Sequence, residues 1–219
     1  MSLRNVSFIS NIRKGFSLIE LTVSMGVMAM ILGITLSGGP QTIMRISLAE
    51  NTYQAELLIR EVQLQGSSIN SLNNQFGGAG VFFDRASSSQ TLKFRDKAII
   101  DPTRAISIGN GLYDAGPVDE RESILRTTNR HVIGKLCVAT TSPSVFLCNA
   151  TSTPAINTLT VSFSRPKQTA HIYINNSTTT DYAAACIEFN SIRSPENGFV
   201  KSLYIYKSGM ITKKISTCK

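Results

Sequence analysis

The feature that most constrains this 219-residue chain is an unbroken apolar run from Phe16 to Leu36, FSLIELTVSMGVMAMILGITL, in which Glu20 is the single charged residue. As an α-helix these 21 residues extend about 31 Å, the depth of a bilayer's hydrocarbon core. Only a backbone that bonds its own amides tolerates such surroundings, so the run is expected to be a membrane-spanning helix. Arg13 and Lys14 stand immediately before it, and no basic residue follows until Arg45. That asymmetry places the first 15 residues in the cytoplasm and the remainder outside.

A conventional secretory signal has a shorter apolar stretch and a small-residue cleavage site beyond it. Ser37-Gly38-Gly39-Pro40 loosely imitates such a site, but the apolar stretch is too long, and helical patterning continues from Gln41 to about Leu72. Pro40 removes an intrahelical hydrogen bond, and Gly38 and Gly39 each weaken helix by about 1 kcal/mol. A bend or break is therefore expected there, as part of a fibre or simply at the membrane exit.

Glu20 requires its own explanation, because a carboxylate deep in a membrane helix costs about 2.5 to 3.5 kcal/mol on insertion scales. It either reaches interfacial water or meets a cation. The residues around it, Lys14-Gly15-Phe16-Ser17-Leu18-Ile19-Glu20-Leu21, resemble the start of type IV pilins and type II secretion pseudopilins, with a class III leader. The resemblance is strong from Arg13 to about Leu36 and is a matter of pattern beyond that. It departs from the commoner arrangement at Gly38-Gly39-Pro40, where the family usually has one proline nearer the cleavage point.

The resemblance implies that a prepilin peptidase cuts between Gly15 and Phe16 on the cytoplasmic side and methylates the new amine of Phe16. It implies that Glu20 is the assembly carboxylate, neutralising the amino terminus of a staggered neighbour. Gly15 suits the scissile position because it has no side chain and leaves the backbone free to extend. The implied partners are the peptidase, other pilin or pseudopilin subunits and the inner or cytoplasmic membrane. The implied location is a single-pass membrane protein that passes into a cell-surface or periplasmic filament.

The expected fold is α+β: leader 1–15, transmembrane or filament-core helix 16–36, helix continuation 37–72 after the Gly-Gly-Pro break, and a β-rich head 73–219. Ile43, Ile46, Ala49, Tyr53, Leu57 and Leu64 recur near three-and-four spacing and are expected to back a sheet, with Arg60 and Glu61 solvated. Candidate strands cover 80–83, 91–95, 132–139, 158–164, 171–175, 184–189, 203–206 and 210–215, in mainly antiparallel pairing. Tyr204 and Tyr206 face one side of their strand and Leu203 and Ile205 the other; Lys207-Ser208-Gly209 is a turn.

Cys137, Cys148, Cys186 and Cys218 all lie in the second half. They form no C-x-x-C pair, and with only His131 and His171 to complete a site, zinc spacing is absent. An even count beyond a membrane segment reads as two disulfides. Three connectivities exist; Cys137 with Cys148 and Cys186 with Cys218 are favoured over the alternatives and over buried thiols.

No nucleophile with its base, paired carboxylates, phosphate loop or metal cluster is legible, so neither an enzyme nor a cofactor is expected. The glycine-rich NQFGGAG at 74–80 reads as a turn into the sheet. Asp114, Asp119, Glu120 and Glu122 form an acidic cluster without EF-hand spacing, read as a solvated loop rather than a calcium site. Asn149, Asn175 and Asn176 begin short glycosylation patterns.

The formal charge is +8, falling to about +5 once Arg4, Arg13 and Lys14 leave with the leader. Three functional classes remain open. The leading one is a structural filament subunit, a minor pilin or pseudopilin. The second is a tip module, adhesive or taking up DNA through Arg165, Lys167, Lys201, Lys207, Lys213, Lys214 and Lys219. The third is an unrelated single-span protein with an outer receptor domain.

Overall fold

The computed structural model describes residues 16–67, 76–97, 109–115, 119–127, 131–140, 145–148, 155–164, 169–192 and 199–219. The chain divides into two compact units, Met1–Ile43 and Met44–Lys219. Helix α1, Leu18–Ser67, begins in the first and ends in the second. Its assignment runs without interruption through Gly38, Gly39 and Pro40, so the expected break in the helix is not seen. Gly39 eases the passage: part of what drives the residue before a proline from helical geometry is its Cβ, and glycine has none. The expected continuation to Leu72 lies outside the described residues.

Ten strands follow: β1 Phe76–Asp84, β2 Gln90–Lys97, β3 Arg121–Arg126, β4 His131–Ala139, β5 Leu147–Cys148, β6 Thr158–Phe163, β7 Ala170–Ile174, β8 Ala184–Ser191, β9 Val200–Tyr206 and β10 Ile211–Lys214. They form two five-stranded sheets among the described residues, ordered β3-β2-β1-β6-β7 and β10-β9-β8-β4-β5. Every pairing between them is antiparallel, and the architecture is α+β.

The head, Met44–Lys219, is built around a main core. Val81 and Phe83 of β1, Val161 and Phe163 of β6, Ile187 and Phe189 of β8 and Leu203 and Ile205 of β9 alternate inward and meet Leu48, Ala55, Ile59 and Val62 of the helix. This corrects the expected helix stripe. Ile43, Ile46, Tyr53, Leu57 and Leu64 are exposed, and the buried face is the one carrying the smaller side chains. Close approach explains the choice. A Cβ on Gly66 would stand 2.3 Å from the carbonyl oxygen of Phe163, and Thr52, fully buried, donates its hydroxyl to the carbonyl of Leu48 at 2.8 Å. A bulkier stripe would hold the helix away from the sheets.

Charges tie the same helix to both sheets. Lys93 Nζ of β2, with its side chain only 5% exposed, meets Glu61 at 2.6 Å and Glu122 of β3 at 3.3 Å. On the other sheet Lys213 of β10 reaches the buried Glu56 at 2.6 Å, and Arg60 reaches it at 2.8 Å. Burial raises the Glu56 pKa, but hydrogen bonds from Lys213 and Arg60 outweigh it and leave that carboxyl below its ordinary value. Arg60 and Glu61 are exposed, as the sequence implies.

A second, smaller core lies on the outer face of the β4–β8–β9 sheet. Cys148, Cys137, Cys186 and Tyr204 are register neighbours across four strands. Cys137 is joined to Cys148, and Cys186 to Cys218. The carboxyl-terminal tail is thereby held over the sheet, where Cys218 is buried beside Tyr204 and the Ser202 hydroxyl donates to the carbonyl of Ser216. Tyr204 and Tyr206 do face this side and Leu203 and Ile205 the main core. The Lys207-Ser208-Gly209 turn closes with the Gly209 amide on the carbonyl of Tyr206 at 2.8 Å and φ of 84° at Gly209.

Strand β1 starts at Phe76, so Phe76 to Gly80 is strand rather than the expected turn. Gly80 makes room there: a Cβ would stand 2.2 Å from the ring of Phe94. Strands β3 and β5 are additions to the sequence reading. The two disulfides close segments of 32 and 11 residues, for which loop entropy gives about 4 and about 3 kcal/mol. Urea unfolding should show the larger loss for the Cys186→Ala/Cys218→Ala double variant and the smaller for Cys137→Ala/Cys148→Ala; the opposite order would mean that the tail does not brace the sheet.

Candidate functional site

In the first unit the helix starts just after Ser17, whose carbonyl accepts the amides of Glu20 at 3.0 Å and Leu21 at 3.2 Å. Ser17 and Glu20 have the S-x-x-E spacing of a capping box, and Glu20 occupies the first turn, where the helix dipole favours an acid. This local role is a signal the sequence reading passed over.

Beyond that turn the surface is apolar and uncovered within the unit. Phe16 is 81% exposed and Leu36 76%. Thr22 and Ser24 donate to the carbonyls of Ile19 and Leu21, each at 2.9 Å, and Thr35 donates to those of Ile31 and Leu32 at 3.0 Å. These hydroxyls thus satisfy themselves on their own helix, which is what a hydrocarbon environment demands. Leu18–Leu36 has a mean hydropathy of 1.9 and is the one segment among the described residues long and apolar enough to cross a membrane. Glu20 is its one acidic or basic residue. Phe16 is the first described residue; Gly15 and the basic pair before it lie outside the described residues.

Among the described residues, Lys213, Lys214 and Lys207 are engaged at different partners. Lys213 shares the helix-facing side of β10 with Ile211 and is held by Glu56, with its ammonium 5.0 Å from the centre of the Tyr53 ring. Lys214 points the opposite way, 4.8 Å over Tyr204. Lys207 is paired with Asp181 at 2.8 Å. Burial raises the Asp181 pKa, but the Lys207 bond and the Ile172 amide outweigh it and hold this carboxyl below its usual value. Lys201 lies at the start of β9 and Lys219 at the tail; Arg165 and Lys167 lie outside the described residues.

Both histidines gain surroundings that spacing could not show. His131 is buried with Nε2 3.0 Å from the Ser47 hydroxyl of the helix. His171 stands 3.4 Å from Asp181 and lies nearly parallel to Tyr173. Asn175 uses its amide to bind the backbone of 155–158, Asn176 is exposed, and Asn149 lies outside the described residues.

The acidic cluster is not a solvated loop throughout. Glu120 is 4% exposed, and its carboxylate accepts the amide of Asp114 at 3.0 Å. Asp96, which the sequence reading left out, is 2% exposed and accepts the Gly111 amide at 2.7 Å. Burial, aided by the nearby charges of Glu120 and Asp114, pushes its pKa up to about 6 against the Gly111 hydrogen bond. No group of metal-binding side chains is found among the described residues.

Residues 10–36 match the prokaryotic N-terminal methylation motif, the class III leader of type IV pilins and pseudopilins. No curated protein and no solved structure matches the chain. The motif supports a pilin-like or pseudopilin subunit and implies processing by prepilin peptidase and assembly with other pilin subunits.

Asp96 gives the head a defined pH response. Between its ordinary 3.8 and about 6 the folded chain holds a proton that the unfolded chain has released, so stability falls as pH rises through that window. Asp96→Asn should raise unfolding free energy at pH 7.5 by on the order of 2 to 3 kcal/mol and leave it unchanged below about pH 3.5. A variant destabilised at pH 7.5 would show that the ionised form is needed.

Proposed function

We propose that the chain is a structural subunit, a minor pilin or pseudopilin, of a type IV pilus-like or type II secretion-like filament. The observation that carries this reading is a single carboxylate, Glu20, one turn into an apolar helix that nothing in its own unit covers, inside the matched residues 10–36. The motif belongs to structural proteins, and the proposed role is assembly rather than catalysis.

Hydrolysis of the Gly15–Phe16 peptide bond releases the leader and creates an α-ammonium at Phe16. Methylation keeps that charge while removing a donor. In the membrane the cation lies near the cytoplasmic interface, with the head outside in the oxidising compartment that its two disulfides suit. In the filament the same cation enters an apolar bundle, where Glu20 of a neighbour, displaced along the axis, neutralises it. A pair of this kind fixes register more than it adds stability. The exposed stripe of Ile46, Tyr53, Leu57 and Leu64 supports the same reading, since it offers a neighbouring helix an apolar surface beyond the membrane segment.

Intact-mass and amino-terminal analysis of the chain purified from native membranes tests the proposal. The expected mature form begins at an N-methylated Phe16; a chain that begins at Met1 would overturn it.

A further inference from the structure

The outer face of the β3-β2-β1-β6-β7 sheet carries a small built cavity away from the helix. Its floor is Gly78, the register partner of Asp96 on β2. On the far side Ser162 of β6 pairs directly with His171 of β7, and both side chains point to this face because Val161, Phe163, Ala170 and Ile172 point into the core. The loop Gly109-Asn110-Gly111 borders it, fixed by the Gly111 amide on Asp96 and by φ of 76° at Gly111. The cavity is open on one side and has a volume of ≈ 190 Å³, room for about six waters.

Two features set this cavity apart from a packing defect. Ser162 is 2% exposed, lines the cavity and has no hydrogen-bond partner among the described residues. A buried hydroxyl left unpaired is costly, and a ligand or water that bonds it recovers the loss. The glycines are also required by the space: a Cβ on Gly109 would stand 2.3 Å from the Asp96 carboxylate, and one on Gly77 would stand 2.6 Å from the backbone of Gly109. The loop and the strand therefore approach closely while leaving the Gly78 floor bare.

The lining selects the ligand's chemistry. No Lys or Arg lines the cavity among the described residues, and Asp96 with its neighbours Asp114 and Glu120 opposes an anion. An apolar ligand would leave Ser162 unpaired. An ammonium group only donates and would leave the Ser162 O–H without an acceptor, whereas a ligand hydroxyl both gives and accepts. Hydroxyl groups on a ring meet all of these, and the stacked rings of His171 and Tyr173, 6.2 Å apart, add apolar area to the lining for the ring's C–H groups. We propose that this cavity binds one uncharged sugar ring, the terminal residue of a glycan. The proposal does not depend on the filament reading.

The test is saturation-transfer NMR and titration of the full chain in a sugar-free detergent, with methyl glycosides of glucose, galactose, mannose and N-acetylglucosamine, and with ethylammonium chloride as the cationic probe. At least one glycoside should bind saturably, and Ser162→Ala and Asp96→Asn should each weaken it at least about fivefold, since a charged acceptor makes the stronger hydrogen bond. Asp96→Asn is expected to stabilise the fold at neutral pH, so its loss of binding would not reflect unfolding. Failure of every glycoside to bind, binding untouched by both substitutions, or binding of ethylammonium alone would each overturn the proposal.

Discussion

A carboxylate on an apolar helix whose own unit offers nothing to cover it is the constraint on which the amino-terminal half depends. Glu20 sits in the first turn, where Ser17 and the helix dipole favour it, while all the large apolar side chains from Phe16 to Leu36 remain exposed. The hydroxyls of Thr22, Ser24 and Thr35 are satisfied on the helix itself. What is incomplete is its side-chain surface and the charge. In the proposed function a bilayer covers the first and a neighbour's amino terminus answers the second, so that one set of residues would serve both the membrane-held and the assembled state.

The head solves a different problem, that of holding one helix against two sheets. Small side chains on the buried face let the helix approach β6 closely, and acids at 56 and 61 reach lysines on β10 and β2. Breaking one partner of such a buried pair leaves an uncompensated charge, so these contacts specify position more than they add net stability. The same lysine that a surface-charge argument offers to DNA is thereby occupied in the fold. Away from the helix the disulfides hold the tail on the second core, where apolar area alone is small.

Sequence reading reached the parts of this architecture governed by local rules. Length and hydropathy isolate 16–36, period-two alternation finds most strands, and Tyr204/Tyr206 against Leu203/Ile205 follows from the pleat. It missed what depends on tertiary fit. The apolar residues Ile46, Tyr53, Leu57 and Leu64 form the more conspicuous stripe, yet the sheet takes the narrower face because packing distance, not hydrophobicity, decides which side is buried. The helix passes through Gly38-Gly39-Pro40 although summed propensities oppose it, because the residue before the proline is a glycine, a local fit that a count of helix breakers does not register. Spacing grouped Glu120 with Asp114 but could not show its burial, and the Asp96–Gly111 and His171–Asp181 contacts depend on the folded turns between them; for Asp96 the one local signal was an acid at the end of a strand facing a glycine-rich segment.

The most direct test of the central claim compares Glu20→Ala and Glu20→Gln chains with the parent, expressed in the native host, by the ratio of filament-incorporated to membrane-held protein. If the carboxylate exists to neutralise a neighbour's amino terminus, both variants will accumulate in the membrane with the parent's abundance and be depleted from filaments by at least about tenfold, which is the roughly 1.4 kcal/mol that one missing charge partner must exceed. Incorporation of both variants at the parent's ratio would contradict the account.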